Sequence, residues 1–198
     1  MKSRIVAKFI FILSLLGAAL AATPAAARPT PPADFAVKTV WELDGQLQVG
    51  DYIWDDEGVP AGTIRVVVDL DAELLYVYRG GSEIGRSTII YGFDDKPTPT
   101  GVFPIMEKKA EHYSSIYRGA PMPYMQRLTR DGVAIHGSVV DVDYATHGCI
   151  GLPKEFAALL FSQTRKGDRV LVTRGWLDDD YDEELAARER PARLLEGS

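Results

Sequence analysis

Residues 64–78 of this chain read IRVVVDLDAELLYVY, and this stretch decides the fold. It contains two runs of β-branched and aromatic residues, 64–70 and 74–78, which the short segment DAE separates. Paired runs of this kind, joined by a few residues of low strand propensity, are typical of a β-hairpin. We therefore predict that a hairpin forms the centre of a mainly β domain.

More strand patterns follow on the C-terminal side of the hairpin. Glycines and prolines separate further β-rich runs at residues 84–91, 102–108, 133–136 and 169–173. Residues 153–163 instead place Phe156, Leu159 and Leu160 at helical spacing, with a proline in the first turn. Many short strands with one or two short helices predict a mainly β fold, either a β-sandwich or an open barrel.

The first 27 residues have the pattern of an export signal. Three basic residues precede an almost unbroken apolar run at 9–22, and Ala25 and Ala27 supply the small residues of a cleavage site. The run is shorter than the roughly 20 residues of a membrane span, so we expect cleavage after Ala27. Cleavage nearer Ala22 and retention as an anchor are the alternatives. After cleavage the protein would lie in the periplasm or cell wall, without stable membrane insertion.

Composition divides the rest of the chain into three parts. Residues 28–62 begin with RPTPPA, which predicts an extended tether, and continue as an irregular lead-in with one strand near 51–54. Residues 63–175 carry the strand patterns and form the main domain. Residues 176–198 are acidic and then mixed in charge, which is typical of a frayed or disordered tail.

The charge of the chain excludes one class of partner. Hydrophobic residues make up 46% and charged residues 25% of the sequence, as in an ordinary globular domain with a sizeable core. The formal net charge is -6, and no basic stripe occurs along the chain. Because phosphate binding requires clustered lysine and arginine, we do not expect nucleic acid as a partner.

The chain has a single cysteine, Cys149, in a segment that reads IHGSVVDVDYATHGCIGLP at residues 135–153. Exported proteins usually pair their cysteines, so an unpaired one is either a buried small hydrophobic residue or a reactive thiol. The neighbours favour a reactive thiol, because a nucleophilic cysteine needs a base that takes its proton. His136 ends the predicted strand 133–136, and Cys149 ends the loop that returns to the same edge.

The residues around the cysteine suit acyl transfer. Gly148 allows a tight backbone turn, and the amides of Gly148 and Cys149 could point at a developing oxyanion. The three histidines and the cysteine also allow a zinc site completed by Asp141 or Asp143. Because nothing in the sequence fixes those carboxylates, we expect neither a metal nor another cofactor.

The pairing of IHG with THGCI resembles the signature of the L,D-transpeptidase catalytic domain, also called the YkuD domain. Four segments resemble the same family in the same order: 64–78, 98–103 (TPTGVF), 122–129 (MPYMQRLT) and 132–136 (GVAIH). The resemblance covers residues 64–173 and identifies the main domain, 63–175, as a catalytic domain of this kind.

The resemblance implies a reaction on peptidoglycan. Cys149 would attack the carbonyl of the third residue of a tetrapeptide stem, a diamino acid, and expel the fourth residue, D-Ala. His136 would take the thiol proton and later protonate the leaving amine. The backbone carbonyl of Gly137 is expected to orient the imidazole. An amine would then resolve the thioester in a second step.

The resemblance also implies a set of supporting residues. Thr146 and His147 would shape the site together with Gly148, and Tyr124 and Arg127 would contact the substrate.

One position departs from the family pattern. Gly151, also expected at the substrate site, lies where the family usually has arginine and sometimes asparagine, two residues after the nucleophile. This departure puts the binding of a substrate carboxylate in question. Arg118, Arg127 and Arg130 are candidates for the missing cation.

Four interpretations of the function stay open from the sequence. A stem-peptide amine as acceptor makes the protein a transpeptidase, and a protein amine makes it an enzyme that attaches proteins to the wall. Water as the acceptor makes it an L,D-carboxypeptidase. The glycine at the family's arginine position favours a different class, a wall-binding protein that has kept the fold and lost turnover.

Overall fold

The computed structural model describes residues 32–93, 96–115 and 119–177. The predicted signal segment, the first residues of the tether and nearly all of the tail lie outside these residues. None of the helices in the described ranges is long and apolar enough to cross a membrane.

The described residues are mainly β, as the sequence predicts. A 3₁₀ turn at Ala33–Phe35 precedes ten strands and one α-helix. In chain order these are β1 (Tyr52–Trp54), β2 (Ile64–Asp69), β3 (Leu74–Arg79), β4 (Ser82–Thr88), β5 (Gly101–Pro104), β6 (Glu107–Lys109), β7 (Met125–Arg127), β8 (Ala134–Ser138), β9 (Ile150–Pro153), α1 (Lys154–Gln163) and β10 (Arg169–Thr173).

The predicted hairpin lies inside a six-stranded sheet, called here the first sheet. Its strand order is β1-β4-β3-β2-β10-β5. The hairpin strands β2 and β3 pair antiparallel, from Ile64 opposite Arg79 to Asp69 opposite Leu74. Strand β10 returns parallel to β2, after α1, and forms the other neighbour of that strand. The hairpin is therefore central rather than an edge of the sheet.

Both faces of the first sheet are covered, which explains the unbroken hydrophobic run of β2. Val66 and Val68 point into the main core, while Val67 between them points into a second core on the opposite face. The second core combines residues from the lead-in, from the strands β2, β3 and β10, and from the segment after β10. Its members are Phe35, Val37, Val67, Tyr76, Tyr78, Leu171 and Trp176. The described fold thus includes residues that the sequence analysis places in the lead-in and the tail.

Four short strands form the second sheet, in the order β6-β7-β8-β9. Strands β8 and β9 are parallel, and the other pairs are antiparallel. The main core lies between the inner face of the first sheet and the back of the second, with Phe156 and Leu160 of α1 fully buried in it. Helix α1 follows β9 directly, so it supports the back of the two strands that carry the candidate site.

Three details differ from the prediction. The predicted strand 102–108 is two strands in different sheets, because Ile105 donates its amide to Asp168 and Met106 donates to Arg127. The predicted strand 84–91 ends at Thr88, and Ile90 then forms a single bridge to Gly151. Strands β7 and β9 were not predicted.

Candidate active site

The second sheet presents alternate residues of each strand to an open cleft of about 1120 Å³. In β8, the side chains on the cleft face are Ala134, His136 and Ser138. The strand register pairs Arg127 of β7 with Ala134, and His136 with Gly151 of β9. Because residues directly opposite each other project from the same face, Arg127, Ala134 and His136 share the cleft.

His136 lies within β8, two residues before its end, rather than at the end as the sequence predicts. Its ring is buried, and Nδ1 lies 2.9 Å from the carbonyl oxygen of Gly137. A carbonyl only accepts hydrogen bonds, so Nδ1 carries the proton and Nε2 is left with a free lone pair. Burial lowers the pKa of His136 below its ordinary value of 6.5, which keeps the imidazole neutral at pH 7.

The register of β9 places Cys149 on the same face as His136. Cys149 comes just before Ile150, which pairs with Ile135, so the cysteine lies beside Ala134. His136 is two residues further along the neighbouring strand and is therefore the diagonal neighbour of Cys149. Both side chains line the cleft.

The thiol has an apolar environment. Cys149 is partly buried and packs against Met122, Met125 and Ala134, and its Sγ lies 3.9 Å from the carbonyl oxygen of Gly132. Burial raises the pKa of the Cys149 thiol above its ordinary value. Within the described residues, no hydrogen bond joins Cys149 Sγ to His136. The site therefore rests as a neutral thiol beside a neutral imidazole.

Two threonines hold the turn before the cysteine. Thr146 Oγ1 donates to the carbonyl oxygen of Cys149 at 2.5 Å, and Thr98 Oγ1 donates to that of Gly148 at 3.1 Å. Thr98 Oγ1 also accepts from the amide of Gly92 at 2.9 Å. The segment 98–103 carries part of the family resemblance, but nothing in the sequence alone indicates this role for the buried Thr98.

The turn itself leaves two amides unpartnered. Gly148 has φ +101°, a conformation that side chains rarely adopt. No carbonyl among the described residues accepts a hydrogen bond from the amide of Gly148 or of Cys149. Two adjacent free amides beside a thiol have the composition of an oxyanion hole.

Gly151 lies next to His136, and its missing side chain is replaced by a neighbour. Gly151 and Ile90 exchange both backbone hydrogen bonds, at 2.8 and 3.0 Å. A Cβ atom placed on Gly151 would lie 2.6 Å from Cγ1 of Ile90 and 3.0 Å from Cβ of Ser138. Ile90 therefore fills the space in which a side chain at this position would begin, which makes this side of the base apolar.

The structure places one of the two predicted substrate residues, Arg127, in the cleft and the other, Tyr124, outside it. Arg127 lines the cleft, where its Nη2 lies 2.8 Å from Glu107 Oε2. Tyr124 is not among the described residues that line the cleft. Its ring packs 5.9 Å from that of Phe161, because Tyr124 has the opposite orientation to its neighbour Met125. This geometry does not support a substrate contact for Tyr124.

The remaining predicted residues take different places. His147 is exposed and lines the cleft, together with Thr146 and Gly148. Arg130 is exposed and is not among the lining residues, and Arg118 lies outside the described residues. No group of three or more histidine, cysteine, aspartate or glutamate side chains in the described ranges could hold a metal ion.

The chain matches one protein-family model. The model of the L,D-transpeptidase catalytic domain, YkuD, matches residues 63–172. None of the curated proteins matches the chain significantly.

Solved structures of L,D-transpeptidases are similar to this chain. LdtMt1, solved in complex with imipenem, is 26% identical over 56% of this chain and 59% of its own, with a TM-score of 0.52. An L,D-transpeptidase from Stackebrandtia nassauensis is 23% identical over 61% and 62%, with a TM-score of 0.52. One from Mycobacterium tuberculosis H37Rv is 22% identical over 57% and 58%, with a TM-score of 0.53. The aligned region spans about three fifths of each of these chains.

Proposed function

This chain belongs to the L,D-transpeptidase catalytic domain family, and we propose that it is a cysteine-dependent acyltransferase acting on peptidoglycan stem peptides. One observation carries the proposal. One cleft is lined by the only cysteine, by a neutral histidine with Nε2 unprotonated, and by a turn whose two amides have no carbonyl acceptor among the described residues. These are the nucleophile, the base and the oxyanion donors that acyl transfer requires.

In the first half-reaction, Cys149 becomes acylated. Nε2 of His136 takes the thiol proton as Sγ attacks the carbonyl carbon of the third stem residue, and the carbonyl oxygen becomes an oxyanion. The amides of Gly148 and Cys149 would stabilise that charge, and a single donor of this type contributes roughly 10²-fold to 10³-fold in rate. The C–N bond to D-Ala then breaks, and His136 returns the proton to the leaving amine. A thioester on Cys149 remains.

The contacts of the substrate-free site explain why Cys149 would become nucleophilic only when a substrate is bound. A thiol with a raised pKa beside an imidazole with a lowered pKa does not ionise by itself. A bound carbonyl changes this balance, because the negative charge moves from sulfur to an oxygen that the two amides can solvate. Catalytic hydrogen bonds are often absent from a substrate-free site and form in the complex.

In the second half-reaction, an acceptor resolves the thioester. An amine attacks the acyl carbon, the C–S bond breaks, and His136 carries the amine proton to the thiolate. We propose a second stem peptide as the acceptor, which makes a cross-link. A protein amine would attach that protein to the wall, and water would release a tripeptide. The export pattern of residues 1–27 supports the periplasm or cell wall as the place of the reaction.

One set of observations favours a second candidate, a wall-binding protein without turnover. Ile90 fills the space in which a side chain at position 151 would begin, and Cys149 is a protonated thiol without a hydrogen bond to His136 in the described residues. A binding protein would keep the cleft and have no use for the nucleophile.

Mass spectrometry separates these candidates. The mature protein is incubated with a disaccharide-tetrapeptide, with the Cys149→Ser variant as the matched control. Loss of D-Ala with a cross-linked dimer supports the transpeptidase, and loss of D-Ala with a free tripeptide supports the carboxypeptidase. An unchanged substrate, with a folded protein whose Cys149 also resists acylation by a carbapenem-type β-lactam, contradicts both and favours the wall-binding protein.

A further inference from the structure

Three charged side chains form a wall on the cleft face of β6 and β7. Glu107 forms ion pairs with Lys109 Nζ at 3.0 Å and with Arg127 Nη2 at 2.8 Å. The strand register places Glu107 opposite Arg127, and Lys109 opposite Met125, so all of them share the face that carries the thiol. We call these three residues, Glu107, Lys109 and Arg127, the charged wall.

The charged wall lies at a defined place relative to the nucleophile. Arg127 is opposite Ala134, and Cys149 lies beside Ala134 on the other side. Two strand spacings therefore separate the backbones of Arg127 and Cys149, about 10 Å. Ala134, which lies between them in the sheet, carries only a methyl group.

The cleft has a charge that differs in sign from that of the chain. Four cationic and two acidic side chains line it among the described residues: Lys96, Lys109, Arg127, Lys154, Glu107 and Asp131. The whole chain has a formal net charge of -6. A cationic cleft in an acidic protein attracts a substrate that carries carboxylates. The single acidic member of the charged wall then provides an acceptor for a cation.

Glu107 stays ionised at neutral pH. The hydrogen bond from Lys109 lowers the pKa of the Glu107 carboxyl below its ordinary value. Partly exposed ion pairs of this kind contribute little to stability. The carboxylate of Glu107 therefore adds little to the stability of the fold and is suited to the recognition of a cationic ligand group.

We propose that Glu107 and Arg127 bind the amino-acid head group at the end of the acyl donor's side chain. Glu107 accepts hydrogen bonds from the ammonium group, and Arg127 donates to the carboxylate. This inference rests on the proposed function, because it assigns the head group to the diamino acid that Cys149 acylates. Position 151 carries no cation, because it is a glycine. The inference assigns the cationic role to Arg127, on the opposite side of the nucleophile.

The dimensions fit this assignment. A diamino acid with three methylene groups between its two α-carbons has six bonds from the reacting carbonyl carbon to its distal amine. Six bonds of extended chain, as in two backbone residues, span about 7 Å. Together with a bond to sulfur and a hydrogen bond to the protein, this length is comparable to the roughly 10 Å between the backbones of Cys149 and Arg127, whose Nη2 lies 2.8 Å from Glu107 Oε2.

The assignment predicts a specificity. A donor whose distal amine is already acylated, as in a stem that has served as an acceptor, has lost the ammonium charge and adds bulk. Such a donor cannot satisfy Glu107. The protein therefore selects stems that carry a free distal amine as donors.

The test measures acylation of Cys149 alone, without an acceptor. Two synthetic stem tetrapeptides are compared, one with a free distal amine and one with that amine acetylated, by rapid quench and intact-protein mass spectrometry. We expect wild type to prefer the free amine by roughly 10-fold to 100-fold, the size of a hydrogen bond to a charged group. Glu107→Gln should remove the preference. Glu111→Gln, an exposed change outside the cleft lining, should keep it.

A second variant separates recognition from support. Both donors keep the distal carboxylate, so Arg127→Gln should slow acylation by both to a similar extent. If Glu107 only held Arg127 in place, Glu107→Gln would also slow both donors equally, and the assigned role would be wrong.

The other outcomes are equally decisive. Equal acylation of wild type by the two donors overturns the inference and leaves the proposed function intact. So does a preference that appears only when an amine acceptor is added, which would assign the charged wall to the acceptor. No acylation by either donor, in a folded protein, overturns the proposed function and this inference together.

Discussion

The two sheets of this domain are stabilised by different interactions. The first sheet has six strands, and its central strands are buried on both faces by hydrophobic side chains. The second sheet has four short strands, and one of its faces is an open cleft with charged residues. Its β9 contains a glycine and a proline and has little strand propensity of its own. It stays in place through the pairing with β8 and the packing of α1 behind it.

This difference indicates that one sheet stabilises the domain and the other positions the reacting groups. The first sheet and α1 supply the hydrophobic burial that stabilises the domain. The second sheet then positions a thiol, an imidazole and two amides with few apolar contacts on its open side. Changes to the cleft face of the second sheet should therefore affect the reaction, whereas changes to the first sheet should affect stability and leave the reaction rate per folded molecule unchanged.

The largest effect should follow from the nucleophile. We expect Cys149→Ser to reduce D-Ala release by about 10⁴-fold or more, because loss of a covalent nucleophile removes the intermediate itself. The thermal midpoint should stay close to that of wild type, since the hydroxyl replaces a partly buried thiol of similar size. Product formation by mass spectrometry and thermal unfolding by circular dichroism measure the two quantities. Retained activity would exclude Cys149 as the nucleophile.

A backbone clash at the nucleophile turn should come next. A Cβ atom at Gly92 would lie 2.2 Å from the amide nitrogen of Gly148 and 2.4 Å from the carbonyl oxygen of Lys96. Gly92→Ala should therefore displace the turn and lower the acylation rate by about 10²-fold, through misplacement of the oxyanion donors. Gly58→Ala is the control, because its Cβ would meet no atom within 4 Å; its φ of +71° adds a backbone strain that Gly92→Ala does not have. Equal rates in the two variants would contradict the role of the turn.

The strand patterns of the first sheet could be predicted because the residues themselves determine them. β2 and β3 are built from β-branched and aromatic residues, and the hairpin follows at the expected register. β7 and β9 have three and four residues, and their pairing partners rather than their propensities make them strands. The break between β5 and β6 has no sequence signal, because it depends on which sheet accepts each amide.

The candidate site divides in the same way. Cys149 and His136 could be found from residue type and spacing, and the contact between Nδ1 of His136 and the Gly137 carbonyl follows only from the family resemblance. Thr98 and Glu107 could not be found, because their roles depend on neighbours that are distant in sequence. Ile90 is the same kind of case, since only the bridge to Gly151 shows what replaces the family's arginine.

A matched pair of core truncations tests directly whether the first sheet stabilises the domain and the second sheet positions the reacting groups. Leu75 is fully buried in the main core beside the first sheet, and Met125 is buried beneath the thiol. Each change to alanine should cost about 2–5 kcal/mol in the free energy of unfolding. Leu75→Ala should leave the rate per folded molecule unchanged, and Met125→Ala should lower it about tenfold by moving the nucleophile. Denaturant titration and acylation kinetics well below the midpoint measure both. Equal rate losses would contradict the comparison.

The pH dependence should follow the histidine of the second sheet. Burial lowers the pKa of His136 below 6.5, and a protonated imidazole cannot take the thiol proton. The acylation rate should therefore be constant from pH 7 down to about 6.5 and fall only below the lowered pKa. The unfolded chain binds the proton more readily, so the stability from this group is complete above 6.5 and is lost as the pH falls through the folded pKa. His112 adds to the lowering through its charge. His112→Asn should move the acid limb slightly upward, and a downward shift would contradict this assignment.

The smallest effect sharpens the comparison most, because it concerns two ion pairs with similar geometry. Arg174 and Asp71 pair at 2.5 Å beside the first sheet, with 52% and 54% of their side chains exposed. Arg127 and Glu107 pair at 2.8 Å on the second sheet, with 38% and 30% exposed. Exposed pairs contribute little to stability, so Arg174→Gln and Glu107→Gln should each shift the thermal midpoint by no more than about 4 °C. Only Glu107→Gln should change acylation by the donor with a free distal amine. If Arg174→Gln slowed acylation to the same extent, the charge of the whole surface would govern the reaction, and the position of the charged wall beside the nucleophile would have no special effect.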